Sequence, residues 1–279
     1  MRRRAFLAGL AIAGLATPKG EAMPNATVAE RQRLLLDHVH IERPEGRGPF
    51  PTVLMMHGCG GCKPFQRDYA RAIRQAGGAA IVIDSFGHRG ISTLEGFATV
   101  CTGLRLRGAE RAGDLFAMFQ WARMQPWADP ARISVAGWSH GGWTVMDALA
   151  LRGEDLISET GLTDLPAEPL IGVAGAFLVY PYCGVLSLSD SRGWRIAPPT
   201  QAIVAGRDRV VGRRRPLQVL EGLIARGAPV SVTVFPEATH SFDEGETRDI
   251  RMRYSPERTR ETEAMLVGFV TGAGLSPTR

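Results

Sequence analysis

In "GWSHGG", Gly137-x-Ser139-x-Gly141 sets a hydroxyl on a turn between a β-branched run, "RISV", and a stretch of amphipathic helical spacing. A sharp strand-to-helix turn holds such a serine in a strained conformation, and the flanking glycines let the backbones approach closely. Its hydroxyl then stands above the C-terminal edge of a sheet, at a helix N-terminus that favours negative charge. A serine hydroxyl is a poor nucleophile until a base takes its proton, and the base must be held by a carboxylate. Two later strand ends supply those types: Asp208 in "AIVAGRDRVV" and His240 in "TVFPEATHSF". The chain order Ser139, Asp208, His240 differs from the orders of the two common serine protease classes. Asp243 is a weaker candidate acid, because it follows His240 by three residues and ends no strand of its own.

Attack on a carbonyl builds charge on its oxygen, so two preorganised N–H donors are required. The residue after the nucleophile supplies one, the amide of His140, whose backbone matters more here than its ring. A second is expected from "HGCGG", directly after the apolar run "TVLMM": the amide of Cys59, with Gly60 as the alternative. His57 then braces the turn. "DSFGHRG" ends another strand, and Asp84, His88 and Arg89 are candidate cleft residues, Asp84 also reading as a loop cap.

Cys59-Gly-Gly-Cys62 raises a rival reading, a thiol oxidoreductase or a metal site. A redox pair must open a helix whose dipole lowers a thiol pKa, and zinc needs a tetrad of ligands that the sequence does not supply. Disulfides joining Cys59 and Cys62 to Cys101 or Cys183 are the stronger expectation. Four cysteines allow three pairings, and the sequence does not choose among them.

Positioning these residues requires strands that alternate with helices. Apolar runs at 51–58, 79–87, 131–138, 172–181, 200–206 and 230–236 read as strands, and "RLLLDHVHI" at 33–41 reads as an edge strand. Helical spacing spans 65–77, 109–125, 140–150 and 213–225, and Ser255-Pro256-Glu257 opens a final helix with Ser at N-cap and Pro at N1. The alternation predicts an α/β fold, a mostly parallel sheet covered on both faces in three layers. Stretches 85–108, 152–170 and 183–198 are the loops expected to shape a cleft.

Taken in order, "HGCGG", "IDSFGHRG", "GWSHGG", "GRD" and "PEATHSFD" resemble the dienelactone hydrolase family of the α/β-hydrolase superfamily, from Pro51 to the C-terminal helix. That resemblance implies the α/β-hydrolase fold and hydrolysis of a small-molecule ester or lactone without metal or organic cofactor. Family members proper carry cysteine at the nucleophile position, where this chain has Ser139, which shifts the expectation toward a serine esterase. A peptidase or polyester depolymerase on the same scaffold is the alternative.

The start of the chain bears on compartment. Arg3-Arg4 followed by Ala5-Phe6-Leu7, and an uncharged stretch to Ala16, resemble a twin-arginine export leader over residues 1–22, with one domain over 23–279. The apolar stretch is too short to span a bilayer, so a periplasmic or secreted protein without a membrane anchor is expected. The formal net charge is +5; losing Arg2, Arg3, Arg4, Lys19 and Glu21 leaves about +2. Arg213-Arg214-Arg215 carries no interleaved aromatics and reads as a solvated helix start, so no nucleic-acid partner is implied.

Overall fold

The computed structural model describes residues 25–184, 186–247 and 249–272. The expected leader, residues 1–22, lies outside them. Strands β1 (Val39–Glu42), β2 (Phe50–Met56), β3 (Ala79–Ile83), β4 (Ala128–Trp138), β5 (Gly175–Val179), β6 (Thr200–Ala205) and β7 (Val230–Phe235) form one sheet of order β1-β3-β2-β4-β5-β6-β7. β1 runs antiparallel to β3, and every other pairing is parallel. Val53 to Met56 and all of β3 are buried, the near-continuous apolar runs that a sheet covered on both faces needs.

The helices are α1 (Val28–Leu36), α2 (Pro64–Gln75), α3 (Thr93–Glu95), α4 (Gly108–Arg123), α5 (His140–Ala150), α6 (Leu156–Thr160), α7 (Leu188–Arg192), α8 (Arg214–Ala225) and α9 (Pro256–Thr271). Tyr69, Ala70 and Ile73 of α2 and Leu266 and Val270 of α9 cover one face of the sheet. Leu115 and Phe119 of α4, Val145 and Leu149 of α5 and Leu220 of α8 cover the other. Burying each such Leu, Val, Ile or Phe stabilises the fold by roughly 1.5–3 kcal/mol. As the Ser-Pro-Glu triplet predicts, the Ser255 hydroxyl accepts from the Arg258 amide and Pro256 opens α9. These layers make the α/β-hydrolase fold.

Residues 33–41 depart from the expected edge strand, since α1 runs to Leu36 and β1 begins at Val39. Thr27 and Glu30 form a reciprocal capping box, with the Glu30 amide donating to Thr27 and the Glu30 carboxylate accepting from the Thr27 amide. The inward positions 28, 31, 32 and 35 follow helical spacing, but two of them are polar. Arg31 is buried on Asp114 of α4 at 2.9 Å, and Gln32 donates to the Ala117 carbonyl. Those two polar residues conceal the amphipathic pattern. The segment before α1 is held as well, by Ala26 bridging to Leu162 and by the Val28 amide donating to Asp164.

Candidate active site

β4 ends at Trp138 and α5 starts at His140, so Ser139 alone makes the turn, at φ 52° and ψ −112°. A non-glycine residue in the left-handed half of the map is strained, and here close packing enforces it. A Cβ on Gly137 would stand 2.3 Å from the Gly141 carbonyl oxygen, and one on Gly141 would stand 2.0 Å from that of Met56. The start of α5 therefore lies against the end of β2, and no larger residue fits at either position.

β6 delivers Asp208 and β7 delivers His240 to the same sheet edge. His240 Nε2 lies 2.9 Å from Ser139 Oγ, and His240 Nδ1 lies 2.7 Å from Asp208 Oδ2. Asp208 Oδ1 accepts from the amides of Val210 and Val211, which fixes the carboxylate plane. Burial pushes the Asp208 carboxyl up, but hydrogen bonding and charge from His240, with the two amides, outweigh it and hold the group below its ordinary value. Ser139 is 6% exposed and His240 2%. With a carboxylate on Nδ1, the imidazole keeps its proton there and presents Nε2 as an acceptor to the hydroxyl.

The "HGCGG" turn follows β2 alongside this group. His57 is fully buried; its Nδ1 donates to the Gly58 carbonyl at 2.6 Å, and its Nε2 accepts from the Ser85 amide at 3.2 Å. Burial, helped by the Arg111 charge, lowers His57 to about 4, so it braces the turn as a neutral ring. Cys59, Gly60 and Ser139 line one cleft of about 610 Å³, with Phe65, Phe97 and His240. The His140 ring faces inward, 3.3 Å from Arg111 and against Trp143. Its amide is at the first position of α5, where no intrahelical acceptor exists.

Three expected cleft residues turn elsewhere. Asp84 accepts from the amides of Phe86 and Gly87 and lies 3.5 Å from His57, so it caps its own loop. Arg89 reaches inward to Asp114 at 2.7 Å and to the Ser85 carbonyl. His88 packs beside His38, and burial lowers it to about 4. The cause is shared: the capped loop folds back over α4 rather than toward Ser139.

The walls of the cleft differ from expectation too. Phe97 and Cys101 come from the 85–108 loop, but neither 152–170 nor 183–198 contributes. Ser241, Glu244, Glu246, Thr247, Asp249, Arg251 and Met252 form the opposite wall instead, with Glu244 paired with Lys63 at 3.5 Å and Asp249 paired with Arg251. Asp243 itself is buried behind that wall. It accepts from Tyr69, Trp138 and Tyr180, and the Tyr180 ring packs on His240 at 4.8 Å. Aromatic and charged residues in "PFQRDY" and "DEGETRDI" are the sequence signals for this wall, but only the return of the loop over the sheet edge brings them together.

Of the cysteines, Cys59 and Cys101 form a disulfide with Cα atoms 5.0 Å apart. The expected second bridge does not form. Cys183 is buried 3.7 Å from Met146 Sδ, and Cys62, whose thiol burial pushes up to about 11, is half-buried at the start of α2. Among the described residues no group of three or more His, Cys, Asp or Glu side chains is arranged to hold a metal, and no helix is long and apolar enough to cross a membrane.

Comparison with known proteins follows this geometry. Residues 68–164 match the prolyl oligopeptidase family and residues 167–272 the dienelactone hydrolase family. Among solved structures, a putative dienelactone hydrolase from Klebsiella pneumoniae superposes with a TM-score of 0.63 at 18% identity, covering 83% of this chain and 91% of that one. Esterase 2 of Thermogutta terrifontis, phosphoramylated by tabun, gives 0.61 at 15% identity over 86% and 91%. A dienelactone hydrolase-like promiscuous phosphotriesterase from metagenomic libraries gives 0.58 at 14% over 81% and 88%. No curated protein matches the sequence.

Proposed function

We propose that this chain, which has the α/β-hydrolase fold and matches the prolyl oligopeptidase and dienelactone hydrolase families over separate parts of its length, is an exported serine hydrolase of small carboxylic esters or lactones. One observation carries the reading: Ser139, His240 and Asp208 stand in a continuous hydrogen-bonded row, at 2.9 and 2.7 Å, beside a cleft of about 610 Å³. Ser139 Oγ attacks the ester carbonyl while its proton passes to His240 Nε2, and Asp208 holds the other ring nitrogen protonated and steadies the imidazolium. Negative charge moves to the carbonyl oxygen, which the amides of Cys59 and His140 bind; such donors contribute on the order of 2.7–4 kcal/mol each to the transition state. Collapse breaks the ester C–O bond, His240 gives its proton to the departing alcohol, and an acyl-Ser139 remains. Water then attacks with His240 as base again, releasing the acid and restoring the hydroxyl.

Export is supported by the arginine pair of the leader and by the Cys59–Cys101 disulfide, which persists in an oxidising compartment. A peptidase is the second reading, favoured by the prolyl oligopeptidase match over 68–164. That segment contains the nucleophile turn, which ester and amide hydrolysis share, so it does not select the scissile group. p-Nitrophenyl esters of graded chain length assayed against prolyl p-nitroanilides separate the two. Ser139→Ala abolishes ester hydrolysis and fluorophosphonate labelling while leaving the thermal midpoint in place. Full activity in that variant refutes the proposal.

A further inference from the structure

Arg111 on α4 is a charged group that the mechanism above leaves unused, and it is fully buried. Its Nη1 donates to the His57 carbonyl at 2.6 Å and lies 3.3 Å from His140 Nδ1, while Nε donates to Ser85 Oγ at 2.9 Å. His57 stands two residues before Cys59, and His140 carries the other amide assigned to the oxyanion. One rigid, planar group thus bridges the two turns that present the donors.

Its charge is only partly compensated. Asp114 lies one helical turn along α4, but its oxygens accept from Arg31 at 2.9 Å and from Arg89 at 2.7 and 2.9 Å. Three arginines therefore share that carboxylate. Asp84 sits a third exposed beside the neutral His57, and Arg111 Nη2 has no hydrogen-bond partner. Burial, with Arg89 adding repulsion, outweighs the attraction of Asp114 and Asp84 and lowers Arg111 to about 9, so it remains cationic at neutral pH. A buried cation that shares its nearby carboxylates with other groups is costly to keep in the interior.

We propose that Arg111 is a positioning residue for ester cleavage: it clamps the Cys59 and His140 turns together and directs its residual positive potential at the oxyanion, the counter-charge that forms only in the transition state. This rests on the serine-hydrolase reading. A group of this kind lowers the barrier without tightening substrate binding, because the ground-state ester carries no such charge.

The test compares Arg111→Gln, which keeps a donor toward His57 but removes the charge, with Arg111→Lys, which keeps the charge. Wild-type protein is first shown to hydrolyse p-nitrophenyl esters and to label at Ser139; if it does neither, the hydrolase reading fails and takes this inference with it. Given an active wild type, folded Arg111→Gln loses about 100-fold in kcat with KM changed by less than about threefold. Its affinity for a trifluoromethyl ketone, which forms a hemiketal oxyanion on serine, falls by a similar factor, and Arg111→Lys recovers at least about tenfold of kcat. Folded Arg111→Gln with wild-type kcat overturns the inference alone. Should the Gln variant not fold, Arg111→Lys decides: more than about a tenth of wild-type kcat supports the inference, and less, in a folded protein, overturns it.

Discussion

Breaking the Cys59–Cys101 disulfide perturbs stability and rate together, by amounts that follow from different parts of the structure. The bridge closes a loop of 42 residues in sequence separation. Loop-closure entropy for that length amounts to about 4 kcal/mol at 25 °C, an upper bound because a denatured chain keeps some compactness. At this chain size about 1 kcal/mol moves the thermal midpoint by about 2–4 °C, so Cys101→Ser lowers it by at most about 8–16 °C. The rate effect arises at the other end of the bond. Cys59 sits in the turn assigned to the oxyanion, and Cys101 caps the π-helical turn Gly96–Val100, which places Phe97 on the cleft. The two segments also meet outside the bridge, since a Cβ on Gly96 would stand 2.5 Å from the Cys59 carbonyl oxygen and one on Gly60 would stand 2.9 Å from Phe97. Loss of the bond therefore loosens the turn rather than removing a donor, and kcat falls by about tenfold instead of the 100-fold or more of a deleted donor. The assay is a thermal melt and ester kinetics with and without a phosphine reductant, with free thiols counted. Oxidised protein has two free thiols, Cys62 and Cys183. A protein reduced to four thiols with unchanged midpoint and unchanged kcat refutes the reasoning.

Three other substitutions probe the site and the core. Asp208→Asn keeps the shape but leaves the imidazole in the wrong tautomer, so kcat drops by about 10⁴-fold with little change in the melt; a loss under about tenfold would show that Asp208 does not orient His240. Gly141→Ala drives a methyl group into the Met56 carbonyl at 2.0 Å, and the variant is recovered unfolded or inactive; a soluble, active Gly141→Ala protein contradicts the packing described. Burial raises the Asp147 carboxyl to about 8 from its ordinary 3.8, against hydrogen bonds from the Leu188 amide and the Ser187 hydroxyl that favour the ionised form. The folded protein thus holds a proton that the unfolded chain has already released, and the stability from this group is complete below about pH 4, declines through the window up to about 8 and is absent above it. Asp147→Asn removes that slope, so urea midpoints of wild type and variant diverge as pH rises from 5.5 to 8.5 in favour of the variant; a pH-independent difference argues that Asp147 is already ionised when folded.

What could be read from the sequence follows the range of the interactions involved. Ser139, Asp208 and His240 each stand just past an apolar strand, and the glycines around Ser139 answer to a turn a few residues long, so local pattern alone marks them. Helix α9 is similar, because its Ser-Pro-Glu start is a short-range signal. Helix α1 was concealed by Arg31 and Gln32, whose inward positions make sense only once Asp114 and the Ala117 carbonyl are opposite them. The cleft wall from Ser241, Glu244 and Asp249 and the inward turn of Arg89 are non-local in the same way. Arg111 left one trace: Arg111 and Asp114 lie on the buried face of a helix otherwise filled by Ala112, Leu115 and Phe119. Charges on an apolar face signal a buried network, but not which turns it reaches.

The anchoring of α1 sets an order on synthesis. Its partners on α4, Asp114 and Ala117, lie 83 and 85 residues beyond Arg31 and Gln32, and Asp164 lies 136 beyond Val28, so the first described helix has nothing to dock against until α4 has left the ribosome, and its last anchor follows later still. Arg31, the charge that this docking buries, stays hydrated during that interval. The N-terminal helix is therefore fully secured only after the sheet centre, β2 to β4, is complete at Trp138, when the Leu162–Asp164 stretch emerges to hold its start.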